Sequence, residues 1–181
     1  EIISLIENGK LPFEAVIPAV KKMTPEIWEA LMKQMPYMAL LRNLNNMAKN
    51  GVFTKDENVE YAVSRLTNQK DLEKAKILPF RMYSAWKAYS EKSIDEKFDS
   101  RIANALEIAL ENSFVNIPEI KGSVAIGTDV SGSMEGTIND KGTTRYCDIT
   151  GILTGALLKK CKGKTHVLPF DDKVRNVDGF S

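Results

Sequence analysis

Apolar residues recur at helical spacing through the first two thirds of the chain, and capping and breaking signals cut that pattern into pieces. Glu1 to Asn8 reads as the end of a helix stopped by Gly9. Leu11-Pro12-Phe13 opens another, with Pro12 in the first turn, where a missing N–H does no harm. Val16, Ile17 and Val20 mark its apolar side, and Pro18 makes it short or kinked. Thr24-Pro25-Glu26 supplies an N-cap hydroxyl, a proline at the first helical position and an acid in the first turn. Ile27, Trp28, Leu31 and Met32 follow at helical spacing, and after Pro36 a further helix runs to about Asn50, striped by Met38, Leu41, Leu44 and Met47. Val59, Val63 and Leu66 mark the next, and a short helix from Asp71 precedes Pro79. Leu78-Pro79-Phe80 then repeats the phrase at Leu11, ahead of Met82, Tyr83, Trp86 and Tyr89, and a long amphipathic helix is expected from Ile94 to Phe114. Consecutive helices with short turns describe an α-solenoid or bundle.

The period changes after Asn116-Ile117-Pro118. Val124, Ala125 and Ile126 form the short apolar run of a central parallel strand covered on both faces, expected over Ser123 to Thr128. A loop rich in Gly, Thr, Asn and Asp spans Glu135 to Thr144. A helix from Arg145 to Lys160 carries the small residues Gly151, Gly155 and Ala156, and a strand from Thr165 to Phe170 completes a β-α-β unit.

Composition narrows the possibilities. With 43% hydrophobic and 27% charged residues over 181 positions, the chain can bury a sizeable core. No apolar run approaches the roughly 20 residues of a membrane-spanning helix. Glu1 is not a natural start, and the sequence stops at Gly179-Phe180-Ser181 soon after a strand, so a piece of a longer protein is expected. Cys147 and Cys161 sit about 20 Å apart on one predicted helix, too far for a disulfide. His166 is the single histidine, so zinc and histidine-dependent chemistry find little support, and a reducing, cytoplasmic setting is expected. The net charge of +1 means that any nucleic-acid site must be a local patch.

One stretch carries chemistry. Directly after the first strand come Asp129, Ser131 and Ser133, with Gly132 between the serines. Ligands of open α/β sheets bind beyond the carboxyl ends of strands. A hard cation such as Mg²⁺ takes octahedral oxygen ligands and keeps several waters, which one carboxylate and two hydroxyls suit. The same residues could instead satisfy loop amides in a turn, and spacing alone leaves both readings open.

The motif D-x-S-G-S-M after an apolar strand resembles the metal-ion-dependent adhesion site (MIDAS) of a von Willebrand factor A domain. The phrases LRNL, ILPFR and NIP, in that order before DVSGSM, resemble the TROVE module of Ro-type RNA-binding proteins. The resemblance implies a mainly α fold, with HEAT-like helical repeats followed by the first part of an α/β (Rossmann-like) von Willebrand factor A domain. Residues 1–116 would be the C-terminal part of the helical TROVE region and residues 119–181 the N-terminal part of the A domain. It further implies a divalent cation, Mg²⁺, held by Asp129, Ser131 and Ser133. Members complete the sphere with a threonine and an acid from later loops, often as Gly-Thr-Asp. Here that phrase occurs only as Gly127-Thr128-Asp129, ahead of the serines, and Thr143 and Thr144 lie in the wrong loop. The implied function is a noncoding-RNA-binding scaffold in RNA stability or quality control, taking small structured RNA and single-stranded ends of misfolded RNA. A protein partner such as an exoribonuclease is also implied. Candidate RNA contacts are Arg42 and Asn43 in LLRNL, Lys74 and Lys76 before ILPF, and Arg81 after it; Tyr83, Trp86 and Tyr89 could stack bases but suit a core.

Two other classes are weighed against the scaffold. One is a metal-dependent protein-interaction module whose helices are structural. The other is a Mg²⁺-dependent phosphohydrolase using Asp129, disfavoured because no general base is visible. The chain is therefore read as a non-enzyme.

Overall fold

The computed structural model describes residues 1–9, 11–92, 95, 97–140 and 142–174. Eight helices come first: α1 (Ile2–Glu7), α2 (Phe13–Ala19), α3 (Pro25–Gln34), α4 (Tyr37–Lys49), α5 (Asp56–Leu66), α6 (Gln69–Ala75), α7 (Pro79–Ser90) and α8 (Ser100–Ser113). A 3₁₀ turn, Phe114–Asn116, leads to strand β1 (Val124–Asp129), helix α9 (Tyr146–Lys160) and strand β2 (Thr165–Phe170).

Local signals place the breaks. Thr24 Oγ1 accepts the Ile27 N–H, and Pro25 follows at the first helical position, so α3 starts where its capping chemistry stands. Gly51 ends α4 at φ +75°, a left-handed conformation that costs glycine least. Asn68 caps α6 through the Asp71 N–H, so the helix starts at Gln69, two residues before the expected start at Asp71. The helix expected from Ile94 starts instead at Ser100. Asp99 caps it by accepting the Arg101 N–H at 2.8 Å, and the Asp95 carboxylate accepts the Lys97 N–H at 3.0 Å. These side chains give the backbone a turn in place of a helix, and Ile94 lies outside the described residues.

The helices share one core, in which Leu31, Met32, Leu40, Met47, Leu66, Met82, Ile102 and Leu106 are fully buried. Tyr37 sends its hydroxyl to the Leu66 carbonyl at 2.7 Å, joining α4 to α5. Tyr89 of α7 meets Phe98 edge-on, with ring centroids 5.0 Å apart. The Asn116 side chain donates to the Ile77 carbonyl at 2.9 Å, tying the exit from α8 to the turn before α7.

Strands β1 and β2 pair in parallel, Val124 opposite Thr165 and Asp129 opposite Phe170. The expectation of a strand covered on both faces is corrected here. Ile126 is buried, but Ala125 and Gly127 are exposed, because α9 packs on one face of this two-stranded sheet and the described residues leave the other face open. Among the described residues no helix is long and apolar enough to cross a membrane.

Candidate cation loop and basic groove

Strand β1 delivers Asp129 at its carboxyl end, where the backbone turns. The Asp129 carboxylate accepts the Ser131 N–H at 2.9 Å, and a 3₁₀ turn, Gly132–Glu135, follows. Ser131 Oγ and Ser133 Oγ then lie 3.0 Å apart. The Ser131 N–H, and after it the Ser131 hydroxyl, hold the Asp129 carboxyl below its ordinary range. All three candidate residues are thus brought to one loop, with the carboxylate ionised at neutral pH. An octahedral Mg²⁺ with bonds of about 2.1 Å sets adjacent oxygens about 3.0 Å apart. The two hydroxyls have that spacing, which a hydroxyl–hydroxyl hydrogen bond shares, so the donor set fits a hard cation. Thr128 is turned away, its hydroxyl 3.3 Å from that of Thr154 on α9. Among the described residues no group of three or more His, Cys, Asp or Glu could hold a metal.

The loop after the motif returns on itself. Thr137 bridges Arg145, the Ile138 N–H donates to Thr144 O at 3.0 Å, and the Tyr146 N–H donates to Gly136 O at 3.0 Å. Arg145 joins the Glu135 carboxylate at 3.1 Å and the Asp148 carboxylate at 3.2 Å. Asp148 also accepts the Arg145 N–H at 2.9 Å and the Lys87 ammonium at 2.7 Å. Burial pushes the Asp148 carboxyl up, but the hydrogen bonds from Lys87 and from Arg145 prevail and hold it at about 2. That ion pair ties α7 to α9.

The candidate RNA residues fall into two places. Arg42 on α4 and Arg81 on α7 are both exposed and line one groove of about 460 Å³. Its walls are Met38, Leu41 and Asn45 of α4, Phe80 and Ser84 of α7, and Ile138 with Asn139 of the loop beyond the cation motif. No carboxylate is among the described residues that line it, and neither arginine forms an ion pair among them. Lys74 borders a separate hollow with Tyr37, Arg65 and Asp71, where Arg65 pairs with Asp71 at 3.3 Å. Lys76 ends α6 in a left-handed conformation, φ 51°, with its side chain exposed. Asn43 turns its amide onto its own helix, donating to Ala39 O at 2.9 Å and accepting from Asn46 at 3.3 Å. Of the aromatic residues, Tyr89 is fully buried, while Tyr83 and Trp86 are half-buried with ring centroids 5.6 Å apart.

The TROVE domain family matches residues 16–96. That segment is TROVE sequence. The chain is 30% identical over 129 residues to the RNA-binding protein RO60 of Caenorhabditis elegans, which covers 68% of this chain and 20% of that protein. It is 30% identical over 138 residues to the RNA-binding protein RO60 of Deinococcus radiodurans, covering 72% of this chain and 26% of that protein. The crystal structure of the Deinococcus radiodurans RO (RSR) protein superposes with a TM-score of 0.79 at 24% identity, over 98% of this chain and 37% of that one. The chain thus spans a fifth to a quarter of the curated relatives' length, and the structural likeness shows a shared fold.

The TROVE segment holds Arg42, Asn43, Lys74, Lys76 and Arg81, whereas Asp129, Ser131 and Ser133 lie beyond it. The Lys87–Asp148 pair joins the TROVE segment to the β-α-β unit. Neither partner stands out in the sequence: Lys87 is one of many surface-type lysines, and arginine at position 145 is not an N-cap former that would draw attention to an acid three residues on. Their meeting follows from how α7 and α9 pack.

Proposed function

We propose that the chain is part of a noncoding-RNA-binding scaffold without chemistry of its own, acting on small structured RNA and on single-stranded ends of misfolded RNA in RNA stability or quality control. The supporting observation is the pairing of Arg42 and Arg81 in one groove with no carboxylate among the described residues that line it, inside a segment whose relatives are named RNA-binding proteins. Lys74 and Lys76 add two cationic side chains at a separate place, at the C-terminal end of α6. Asn43 is occupied within α4, so the weight rests on the four cationic side chains. In this reading residues 1–116 belong to a HEAT-like helical region and residues 119–181 to a von Willebrand factor A-like domain in a cytoplasmic ribonucleoprotein.

Each phosphate neutralised on a single strand contributes about 0.7 to the slope of log affinity against log salt. Four contacts would supply about 3. Binding by the full-length protein, measured across a salt series, is expected to fall steeply with salt and to be indifferent to Mg²⁺. Absence of RNA binding at low salt would sink the reading.

A second reading concerns the cation loop and is compatible with the first. Asp129, Ser131 and Ser133 would hold a Mg²⁺ ion as a metal-ion-dependent adhesion site. With one carboxylate in the set, the ion would stay electrophilic and accept an acidic residue from a protein partner, such as an exoribonuclease. The fit of the hydroxyl spacing to an octahedral edge supports it. Asp129→Ala in the full-length protein is expected to abolish Mn²⁺ binding, read directly by calorimetry. Unchanged binding would remove the assignment.

A further inference from the structure

We infer that Arg145 is a positioning residue for the cation loop, and that its contact with Asp148 makes cation affinity depend on how Lys87 of the TROVE segment docks against α9. The inference rests on the cation-loop reading above and concerns how that site is regulated. Ser133 stands on a four-residue 3₁₀ turn, Gly132–Glu135. The Met134 N–H donates to Ser131 O at 3.0 Å and the Gly136 N–H to Ser133 O at 3.2 Å. So short a turn has little stability of its own, and Ser133 and Glu135 are exposed. Its outside ties come from the start of α9. The Arg145 guanidinium meets the Glu135 carboxylate at 3.1 Å, Arg145 bridges Thr137, and the Tyr146 N–H donates to Gly136 O at 3.0 Å.

An exposed ion pair alone contributes little, and Glu135 is 72% exposed. This pair, however, is the outer end of a relay. Arg145 Nη2 donates to Asp148 Oδ1 at 3.2 Å, while Asp148 Oδ2 accepts both the Arg145 N–H at 2.9 Å and the Lys87 ammonium at 2.7 Å. Asp148 is only 9% exposed. Its carboxylate, held at both oxygens, orders the guanidinium that Glu135 then meets. The contacts Lys87–Asp148–Arg145–Glu135 therefore run from α7 to a residue two places after Ser133. Octahedral Mg²⁺ demands near-ideal geometry, so a loosened turn loses affinity although both hydroxyls remain. Coupling is reciprocal: a cation that fixes the turn strengthens the Lys87 clasp by the same factor. Charge alone predicts the opposite sign, because removing either cationic side chain leaves the region more negative and would favour a divalent ion.

The test measures Mn²⁺ binding by calorimetry in the full-length protein for the wild type, Lys87→Ala, Lys87→Arg, Arg145→Ala and Asp129→Ala, with thermal unfolding to confirm folding. Lys87→Ala and Arg145→Ala are each expected to weaken binding about fivefold or more, from the lower end of typical coupling between sites. Lys87→Arg, which keeps a cation for Asp148, is expected to restore most of the affinity. In the wild type, Mn²⁺ is expected to slow amide hydrogen exchange in α7 and in the first turn of α9. Exchange left unchanged there by saturating Mn²⁺ would overturn the coupling without any substitution. Binding abolished by Asp129→Ala but unchanged or tightened in both Lys87→Ala and Arg145→Ala would overturn the coupling and leave the cation reading standing. Weakening in Arg145→Ala alone would overturn the link to α7. No Mn²⁺ binding by the wild type would overturn the cation reading, and the inference with it.

Discussion

Replacing Leu40 with alanine is expected to lower the unfolding free energy by about 3 kcal/mol, inside the roughly 2–5 kcal/mol typical of buried Leu→Ala changes. Leu40 is fully buried in α4, and α4 touches α3, α5, α6 and α7. Truncation there leaves a cavity bordered by several helices that cannot all close on it, so both transfer and cavity costs apply. Domains of this size have about 5–15 kcal/mol of stability in total, so the change should be plain in a urea or thermal unfolding curve. Leu40→Met keeps most of the volume and is expected to cost less than about 1.5 kcal/mol. Equal midpoints for Leu40→Ala and the wild type would show that α4 is not the centre of the helical core.

Asp148→Ala should cost about 2–3 kcal/mol at neutral pH. The substitution removes an acceptor of three hydrogen bonds and leaves the Lys87 ammonium, only 18% exposed, without its carboxylate. Bonds to charged groups contribute about 1.5–3 kcal/mol, and loss of one partner in a buried pair costs more than the pair is worth. Partial hydration of Lys87 keeps the figure below that of a fully buried pair. The pH dependence has a definite sign. The Asp148 carboxyl is depressed from 3.8 to about 2, so its contribution of about 2 kcal/mol is complete above pH 4 or so. As pH falls through about 2 the folded carboxylate is protonated and the contribution is lost. The wild-type advantage over Asp148→Ala should therefore be constant from neutral pH to about 4 and shrink below it. An advantage that persisted undiminished at pH 2 would show that the carboxylate charge is not what joins α7 to α9.

The helical part was legible because its signals are local. Thr24-Pro25-Glu26, Gly51 and the Leu-Pro-Phe openings each fix a boundary through the conformation of one or two residues, and the stripes from Ile27 to Met47 state which faces are buried. The start of α8 was misplaced because Ile94 falls in phase with Ile102, while the turn-forming carboxylates of Asp95 and Asp99 decide the backbone. Strand β1 was recognised from its apolar run, yet its coverage depends on which elements lie over the sheet, and periodicity carries no information on that.

The same division runs through the site. Sequence by itself pointed to Asp129, Ser131 and Ser133 as one candidate set, because they are neighbours along the chain and a single turn brings their oxygens together. It also determined which basic residues to consider. Only the tertiary structure decided that Arg42 and Arg81 share a groove while Lys74 and Lys76 lie apart, that Asn43 is engaged in its own helix, and that the loop carrying Ile138 closes the third wall. Only it placed Lys87 against Asp148, 61 positions away. The physical reason is distance along the chain: capping, turn and period signals act within a few residues, whereas a groove or a clasp between helices is set by how whole amphipathic faces dock.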